Sequence, residues 1–307
     1  MMQIRKQPRI LIFGAGVIGS TYAVKFIEAG LDVTLLARSN RLKTLKEKGL
    51  QYTDKGTVKS LNINVIDKLE EDDIYDFIFV PVRYDHAESA LHAIKKNKSQ
   101  TIVTMTNTSA GYSEWLNIVG DRLLPGFPSA GGQIVDGVLH SQFGPRIIQA
   151  TMFGEINGQV TERVQALARL FRTARIPYTI SKDMTGFQIT HAVLQLALIR
   201  SLYVDHVRMD YLTAQSKETA HLITTSLKTY LRAAEKAGVN VSPSMFKVAL
   251  KIPNGMMDFI FVKLLGTKLV KDVIFTDYAD NAYSEIALLY TDFIDYLGQK
   301  GVNIDKK

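Results

Sequence analysis

The sequence predicts an α/β chain in which a doubly wound, mostly parallel sheet is followed by an all-helical C-terminal domain. Two patterns support this prediction. In the first half, short apolar runs typical of buried strands alternate with stretches of helical periodicity. In the second half, apolar residues recur at spacings of three and four over long stretches. We therefore expect two domains, over residues 1–180 and 181–307.

The first predicted strand, at residues 9–13, runs directly into the turn Gly-Ala-Gly-Val-Ile-Gly at residues 14–19. In such a turn the first glycine lets the chain leave the strand sharply, the second leaves room for a pyrophosphate, and the third lets the next helix pack closely. That helix, predicted over residues 21–29, directs its positive N-terminal end at the phosphates. The pattern predicts a Rossmann-type domain, with a glycine turn that binds no ligand as the alternative. The residues expected to bind the dinucleotide are Gly14, Ala15, Gly16, Val17, Ile18 and Gly19.

The end of the second predicted strand indicates which dinucleotide is bound. About 20 residues after the glycines, a protein that binds NAD carries Asp or Glu for the ribose hydroxyls. Arg38 occupies that place here, and Arg41 and Lys43 follow closely. A guanidinium offers a fork of donors that matches a 2′-phosphate. We therefore expect NADP as the cofactor, and the alternative is that Arg38 is only a solvated loop residue.

Further segments continue the alternation of strands and helices. Strands are expected at 76–82, 101–105, 133–140, 146–153 and 177–180, and helices at 86–94 and 161–174. In the second half, a long helix with apolar positions from Ala220 to Ala234 ends before Gly238, and another runs over about 281–297.

Composition excludes several classes of function. The 307 residues include 37 Lys and Arg against 30 Asp and Glu, and no cysteine. The basic residues are dispersed and form no stripe interleaved with aromatics, which disfavours nucleic acid as a partner. The lack of cysteine excludes disulfides, thiolate metal sites and a cysteine nucleophile, and we expect no metal. No segment has the roughly 18 uninterrupted apolar residues of a membrane span. We therefore expect a cytoplasmic protein with neither membrane nor nucleic acid as a partner.

Taken together, several segments resemble the ketopantoate reductase family over nearly the whole chain. They are the glycine turn, the strand at 35–38, the stretch V-R-Y-D-H at 82–86, the loop T-N-T at 106–108 and the helical second half. Members of that family reduce the 2-oxo group of ketopantoate with NADPH, in a cleft between a Rossmann domain and a helical domain. The resemblance implies the same fold and an NADPH-dependent reduction for this chain.

The resemblance also implies roles for individual residues. Arg38 would bind the 2′-phosphate, and Arg83 would take the place of a family lysine after the third strand. Asn107 matches an asparagine that lies beside the nicotinamide ribose and the substrate. Glu285, in a Ser-Glu-Ile stretch followed by Gly-Val at 301–302, matches the carboxylate that positions the substrate. For Glu285, an exposed helix carboxylate without such a role is the alternative.

Two departures from the family concern the catalytic groups of the second domain. The family carries a catalytic lysine two residues after a tryptophan on the first long helix of that domain. With Phe187 in the place of the tryptophan, Ile189 takes that of the lysine. The family's paired serines upstream of the glutamate are also missing, with Lys271-Asp272-Val273-Ile274 in that region. We therefore expect reduction of ketopantoate itself to be absent or very slow.

Another group must then stabilise the charge that hydride transfer leaves on a carbonyl oxygen. His191 is the candidate, because it lies on the same predicted helix with Gln195 one turn later on the same face. A neutral or protonated imidazole can act near pH 7. The alternative is a histidine satisfied within the helix core. Lys182 and His86 are weaker candidates, as a solvated residue at the helix start and as a ribose contact.

The sequence thus predicts an NADPH-dependent oxidoreductase that reduces a small 2-oxo acid or a related carbonyl compound. Its predicted catalytic residues are Asn107, His191 and Glu285. The second domain would also carry dimerisation, so a homodimer is expected. Two alternatives stay open: a non-catalytic NADP-binding sensor or regulator, and a dehydrogenase of the same architecture that acts on a larger hydroxy or amino acid.

Overall fold

The computed structural model of the chain describes residues 8–144, 150–204, 207–267 and 277–304. The chain forms two compact units. The first takes its residues from 1–106 and 113–184, and the second from 107–112 and 185–307. The predicted division after residue 180 did not anticipate that the short segment 107–112 groups with the second unit.

The described part of the first unit contains twelve strands and five α-helices. The strands are β1 (Arg9–Phe13), β2 (Asp32–Leu36), β3 (Leu50–Asp54), β4 (Thr57–Leu61), β5 (Asn64–Ile66), β6 (Phe77–Val80), β7 (Ile102–Met105), β8 (Leu123–Phe127), β9 (Ala130–Val135), β10 (Val138–Phe143), β11 (Thr151–Phe153) and β12 (Tyr178–Ile180). The helices are α1 (Val17–Glu28), α2 (Ser39–Lys48), α3 (Ala87–Ile94), α4 (Ser113–Val119) and α5 (Glu162–Thr173).

Eight of these strands form the main sheet, in the order β12-β11-β8-β7-β6-β1-β2-β5. Six neighbouring strands of this sheet are parallel to one another, namely β5, β2, β1, β6, β7 and β8. In contrast, β11 runs antiparallel to β8. Counted along the chain, the parallel strands have the order 3-2-1-4-5-6 of dinucleotide-binding folds, and the direction of this order reverses between β1 and β6. The predicted fold class is confirmed.

A second sheet has the strand order β4-β3-β10-β9. We predicted a single strand over 133–140, and this was wrong, because β9 and β10 form a hairpin that turns at Asp136 and Gly137. Both turn residues have positive φ, 50° and 85°. Asp-Gly is a preferred pair for such a turn, and it is the signal of this hairpin in the sequence. Of the strand predicted over 146–153, only the end is observed as β11, and residues 146–149 lie outside the described residues.

Aromatic side chains fix α1 on the main sheet. Tyr22 and Phe26 of α1 are 2% and 0% exposed. The Phe26 ring lies 5.3 Å from that of Phe79 on β6 and stacks on that of Phe171 on α5 at 6.1 Å, measured between centroids. Buried aromatic pairs of this kind add to the free energy gained by burying their area. The direction in which the N-terminus of α1 points is therefore set by the core.

The described part of the second unit is mainly helical. Its elements are α6 (Met184–Arg200), a short hairpin of β13 (Tyr203–Val204) and β14 (Val207–Arg208), α7 (Lys217–Lys236), α8 (Met245–Ala249), α9 (Asn254–Leu265) and α10 (Asp277–Gln299). The predicted apolar face of α7 is buried, and the Ser216 hydroxyl caps this helix by accepting a hydrogen bond from the Thr219 N–H. None of the described helices combines the length and the hydropathy needed to cross a membrane.

Candidate functional site

Three glycines meet three different steric demands where β1 ends. Gly14 has a φ of +127°, which side chains rarely allow. A Cβ on Gly19 would lie 2.0 Å from the Gly14 carbonyl oxygen, so α1 can approach β1 only because this residue has no side chain. A Cβ on Gly16 would meet nothing within 4 Å. The turn is therefore closely packed against the sheet and open above Gly16, as the approach of a ligand requires.

The N-terminus of α1 begins at this opening. Gly16 is the N-cap residue and has no side chain to cap the helix, and the first turn contains no acidic residue. The first N–H groups of a helix have no partner within it, and they carry the positive end of the helix dipole. Together with the open face of Gly16, they form a backbone cradle suited to a diphosphate.

Hydrogen bonds link the ends of neighbouring strands in two pairs around the glycine turn, β1 with β2 and β6 with β7. The Gly14 N–H donates to the carbonyl oxygen of Leu36 at the end of β2, at 3.1 Å. The Thr106 hydroxyl after β7 donates to the carbonyl oxygens of Val80 and Val82 at the end of β6, at 3.1 and 2.9 Å. The turn thus lies where the strand order reverses, which is where open α/β sheets bind ligands.

The end of β2 carries a cation without a carboxylate beside it. Arg38 is exposed at the N-cap of α2, and no residue in the described part of the chain accepts a hydrogen bond from its guanidinium. Asp32 lies at the opposite end of β2, 3.6 Å from the Nε of Arg9. The guanidinium of Arg38 is therefore able to bind an anion, and no acid occupies the position expected for NAD.

Arg41 contacts the glycine turn itself, which the sequence did not reveal. Its Nε donates to the Ala15 carbonyl oxygen at 3.1 Å, and its two terminal nitrogens donate to the Gly137 carbonyl oxygen and the Ser20 hydroxyl at 3.0 and 3.2 Å. These three acceptors belong to the glycine turn, the β9–β10 hairpin and α1. Arg41 therefore joins three elements of the first unit.

Arg83, the second predicted cation of the cofactor site, is ion-paired. Its Nε and one terminal nitrogen donate to the two carboxylate oxygens of Asp85, at 3.1 and 3.0 Å. A two-pronged contact of this kind offsets much of the positive charge of Arg83. His86 is exposed in the same short 3-10 turn, Tyr84–His86.

In the second unit, Asn107 and α6 form a polar group. The Asn107 side-chain N–H donates to the Oε1 of Gln195. The other side-chain atom of Asn107, Oδ1, is buried and has no hydrogen-bond partner among the described residues. A buried acceptor left unpaired costs free energy, so this oxygen is suited to a donor on a ligand. Gln195 itself was named from the sequence only as a neighbour of His191.

His191 lies one turn before Gln195, partly buried, with its ring 6.1 Å from that of Phe187. Burial lowers the pKa of His191 from 6.5 to about 4. The ring is therefore neutral at pH 7, where it can donate one hydrogen bond but holds no extra proton. That a protonated His191 donates the proton near neutral pH stays a prediction, and this low pKa disfavours it.

The remaining predicted residues lie on separate parts of the second unit and at the end of the first. Ile189 is fully buried, so this position is part of the packing of α6. Glu285 is partly exposed on α10, next to the buried Ile286. The segment 107–112 contacts α10 through the Ser109 hydroxyl, which donates to the Leu289 carbonyl oxygen at 2.7 Å. Lys182 is exposed before α6, as expected of a solvated residue.

Comparison with known proteins matches residues 10–155 to the family described as ketopantoate reductase PanE/ApbA. Over 258 residues the chain is 24% identical to the uncharacterized oxidoreductase YkpB of Bacillus subtilis (strain 168), which covers 81% of this chain and 82% of that protein.

Two solved structures share the fold. The 2-dehydropantoate 2-reductase of Methylococcus capsulatus has 17% identity and a TM-score of 0.64, with 94% of this chain and 97% of that chain covered. A ternary structure of D-mandelate dehydrogenase with NADH and anilino(oxo)acetate has 16% identity and a TM-score of 0.66, with 96% and 100% covered.

Proposed function

We propose that this chain, whose residues 10–155 match the ketopantoate reductase family, is an oxidoreductase that binds NADPH and reduces a small 2-oxo acid or a related carbonyl compound. The observation that carries this proposal is the glycine turn. It combines an open face at Gly16 with the uncapped N-terminus of α1, at the point where the strand order of a Rossmann sheet reverses.

The preference for NADPH over NADH rests on Arg38. This side chain is exposed at the end of β2, and residues 36–42 contain no acid. A carboxylate there would bind the ribose hydroxyls of NADH and repel a 2′-phosphate, whereas a guanidinium attracts one. The relative whose structure contains NADH shares only the fold at this level of identity, so it does not decide between the two cofactors.

In the second unit we assign substrate binding and stabilisation of the developing charge to Asn107 and to the polar face of α6, which consists of His191 and Gln195. NADPH would supply the hydride when bound. Asn107 would accept a hydrogen bond from a ligand hydroxyl at its unpaired Oδ1, while Gln195 fixes its amide group. His191, neutral at pH 7, would donate a hydrogen bond to the oxygen on which negative charge develops. Glu285 keeps its predicted role of positioning the substrate.

A titration with NADPH tests the proposal, using Gly16→Asp as a variant that should fold but not bind. The Cβ at residue 16 meets open space, so the aspartate fits, and its charge would repel the pyrophosphate. We expect affinity for NADPH to fall by at least about 100-fold. Gly255→Asp, at another open glycine on α9, is the matched control and should bind NADPH like the wild type. Wild-type protein that binds neither NADPH nor NADH would refute the proposal.

Turnover is tested by following oxidation of NADPH with a panel of 2-oxo acids. The panel should include ketopantoate, smaller acids and one acid with an aromatic side chain, the last because the fold is shared with a D-mandelate dehydrogenase. We expect turnover of at least one acid, with ketopantoate itself slow or inactive.

A second candidate function is a non-catalytic NADP-binding sensor. It is favoured by Ile189, fully buried where we matched the lysine, and by the low pKa of His191. Tight binding of NADPH without turnover of any acid in the panel would favour this sensor over the oxidoreductase.

A further inference from the structure

Arg41 uses all three nitrogens of its guanidinium on neutral oxygen atoms around the glycine turn. One acceptor is the Ala15 carbonyl within the turn, and another is the Ser20 hydroxyl on α1. That hydroxyl in turn donates to the same Ala15 carbonyl oxygen, at 3.1 Å. The Ala15 carbonyl oxygen therefore accepts hydrogen bonds from both the Arg41 guanidinium and the Ser20 hydroxyl. The guanidinium also donates to the Gly137 carbonyl oxygen, which fixes its position.

The charge of Arg41 is not neutralised by the protein. Desolvation by burial lowers the pKa of Arg41, and no acidic side chain of the described residues lies within ion-pair distance of it. Arg163, by contrast, lies 2.6 Å from a carboxylate oxygen of Glu155. Burying a charge without a counter-ion is unfavourable, and an anion bound at the turn would offset that cost.

The first unit offers an internal comparison in Arg122. Burial lowers the pKa of Arg122 too, and its hydrogen bonds also go only to backbone carbonyl oxygens, among them those of Val119 and Lys95. None of the acceptors of Arg122 belongs to the glycine turn. An arginine with neutral acceptors can therefore serve packing alone. What distinguishes Arg41 is the place of its acceptors.

We propose that Arg41 is a positioning residue for the pyrophosphate of the dinucleotide. It would hold the glycine turn in the shape that binds the two phosphates, and would contribute an uncompensated positive charge beside them. The inference rests on the proposed function. It also separates two arginines that are close in sequence: Arg38 would distinguish NADPH from NADH, while Arg41 would strengthen the binding of both cofactors.

Affinity for the two cofactors tests this separation. We expect Arg41→Met to weaken NADPH and NADH alike, by about tenfold, since one interaction with a charged group is lost indirectly. The ratio of the two affinities should stay at the wild-type value, and Arg41→Lys should recover part of the loss. Arg122→Met, which removes an equal charge and a similar set of hydrogen bonds, should leave both affinities unchanged. An effect confined to NADPH, or equal effects of Arg41→Met and Arg122→Met, would overturn the proposal.

Hydrogen exchange of the cofactor-free protein supplies a second readout that does not depend on the proposed function. We expect the amides of residues 14–20 to exchange faster in Arg41→Met than in the wild type or in Arg122→Met. Unchanged exchange there would overturn the positioning role even if cofactor binding changed. If the methionine variant does not fold, Arg41→Lys supplies both measurements. Wild-type protein that binds no dinucleotide would refute the proposed function, and the exchange measurement would still test whether Arg41 fixes the turn.

Discussion

The glycine turn of the first unit is surrounded by positive charge, whereas the polar face of α6 in the second unit is kept neutral. Around the turn, Arg38 and Arg41 carry positive charges with no carboxylate partner among the described residues. On α6, His191 is kept neutral by burial, and it lies one turn from an amide that bonds another amide. The first region is suited to a ligand that arrives with negative charge, and the second to an oxygen on which charge appears during a reaction.

Because of this difference, the two regions are tested by different measurements. Charges on the surface act on the affinity of a bound anion, so their removal should be visible in binding constants. A buried histidine that stays neutral in the folded protein makes the free energy of unfolding depend on pH, because the unfolded chain can bind a proton that the folded chain does not. Three predictions follow this contrast, from the largest effect to the smallest.

The largest effect concerns His191 and the pH dependence of stability. The pKa is about 4 in the folded protein and 6.5 ordinarily, so between these values the unfolded chain binds a proton that the folded one does not. The free energy of unfolding should therefore fall as pH is lowered from about 6.5 to 4, by up to about 3 kcal/mol. His191→Gln should lack this part of the loss. Denaturant unfolding of both proteins across this pH range measures the difference, and parallel curves would contradict the prediction.

The second effect concerns Arg38 and the choice of cofactor. Arg38→Ala should weaken binding of NADPH by roughly 10- to 150-fold, because a charge-assisted hydrogen bond of about 1.5–3 kcal/mol is lost. Affinity for NADH should stay unchanged, since it has no 2′-phosphate. Titration of both cofactors against both proteins measures this. Equal affinities of the wild type for NADPH and NADH would show that Arg38 does not bind the 2′-phosphate.

The smallest effect concerns Asp85, which lies in an ion pair with Arg83. Asp85→Asn should remove the carboxylate charge that offsets the charge of Arg83, and so tighten binding of NADPH by up to about fivefold, as expected for a surface ion pair worth at most about 1 kcal/mol. The double variant Arg83→Ala/Asp85→Asn should lose the gain. Tightening that persists in the double variant would show that Arg83 is not the cause.

The glycine turn and the end of β2 were largely predictable because their parts are local in sequence. The glycine turn follows β1 directly, and Arg38 follows β2 directly, so strand periodicity and residue type located both. The three bonds of Arg41 were not predictable, since Gly137 is 96 positions away and lies in a hairpin where the sequence predicts one strand. The pairing of Arg83 with Asp85 could have been inferred from their spacing, but the family resemblance drew attention to the charge of Arg83 alone.

The helical region was less predictable because it depends on contacts across long stretches of chain. Helical spacing placed His191 and Gln195 on one face of α6, but the degree of burial that sets the pKa of His191 is decided by the packing of neighbouring elements. The bond between Asn107 and Gln195 joins residues 88 positions apart. Resemblance to a family had singled out Asn107, but it gave no indication of this partner.

The segment 107–112 has a consequence for dividing the chain. It follows β7 in sequence, yet its side chains bond α6 through Asn107 and α10 through Ser109. No single cut therefore yields two self-sufficient fragments. A fragment that ends at Met184 would keep six residues whose partners have been removed, and the complementary fragment would lack them. A chimera that takes its helical half from a relative would accordingly also need that relative's equivalent of residues 107–112. The replacement would then be made at two places in the sequence instead of one.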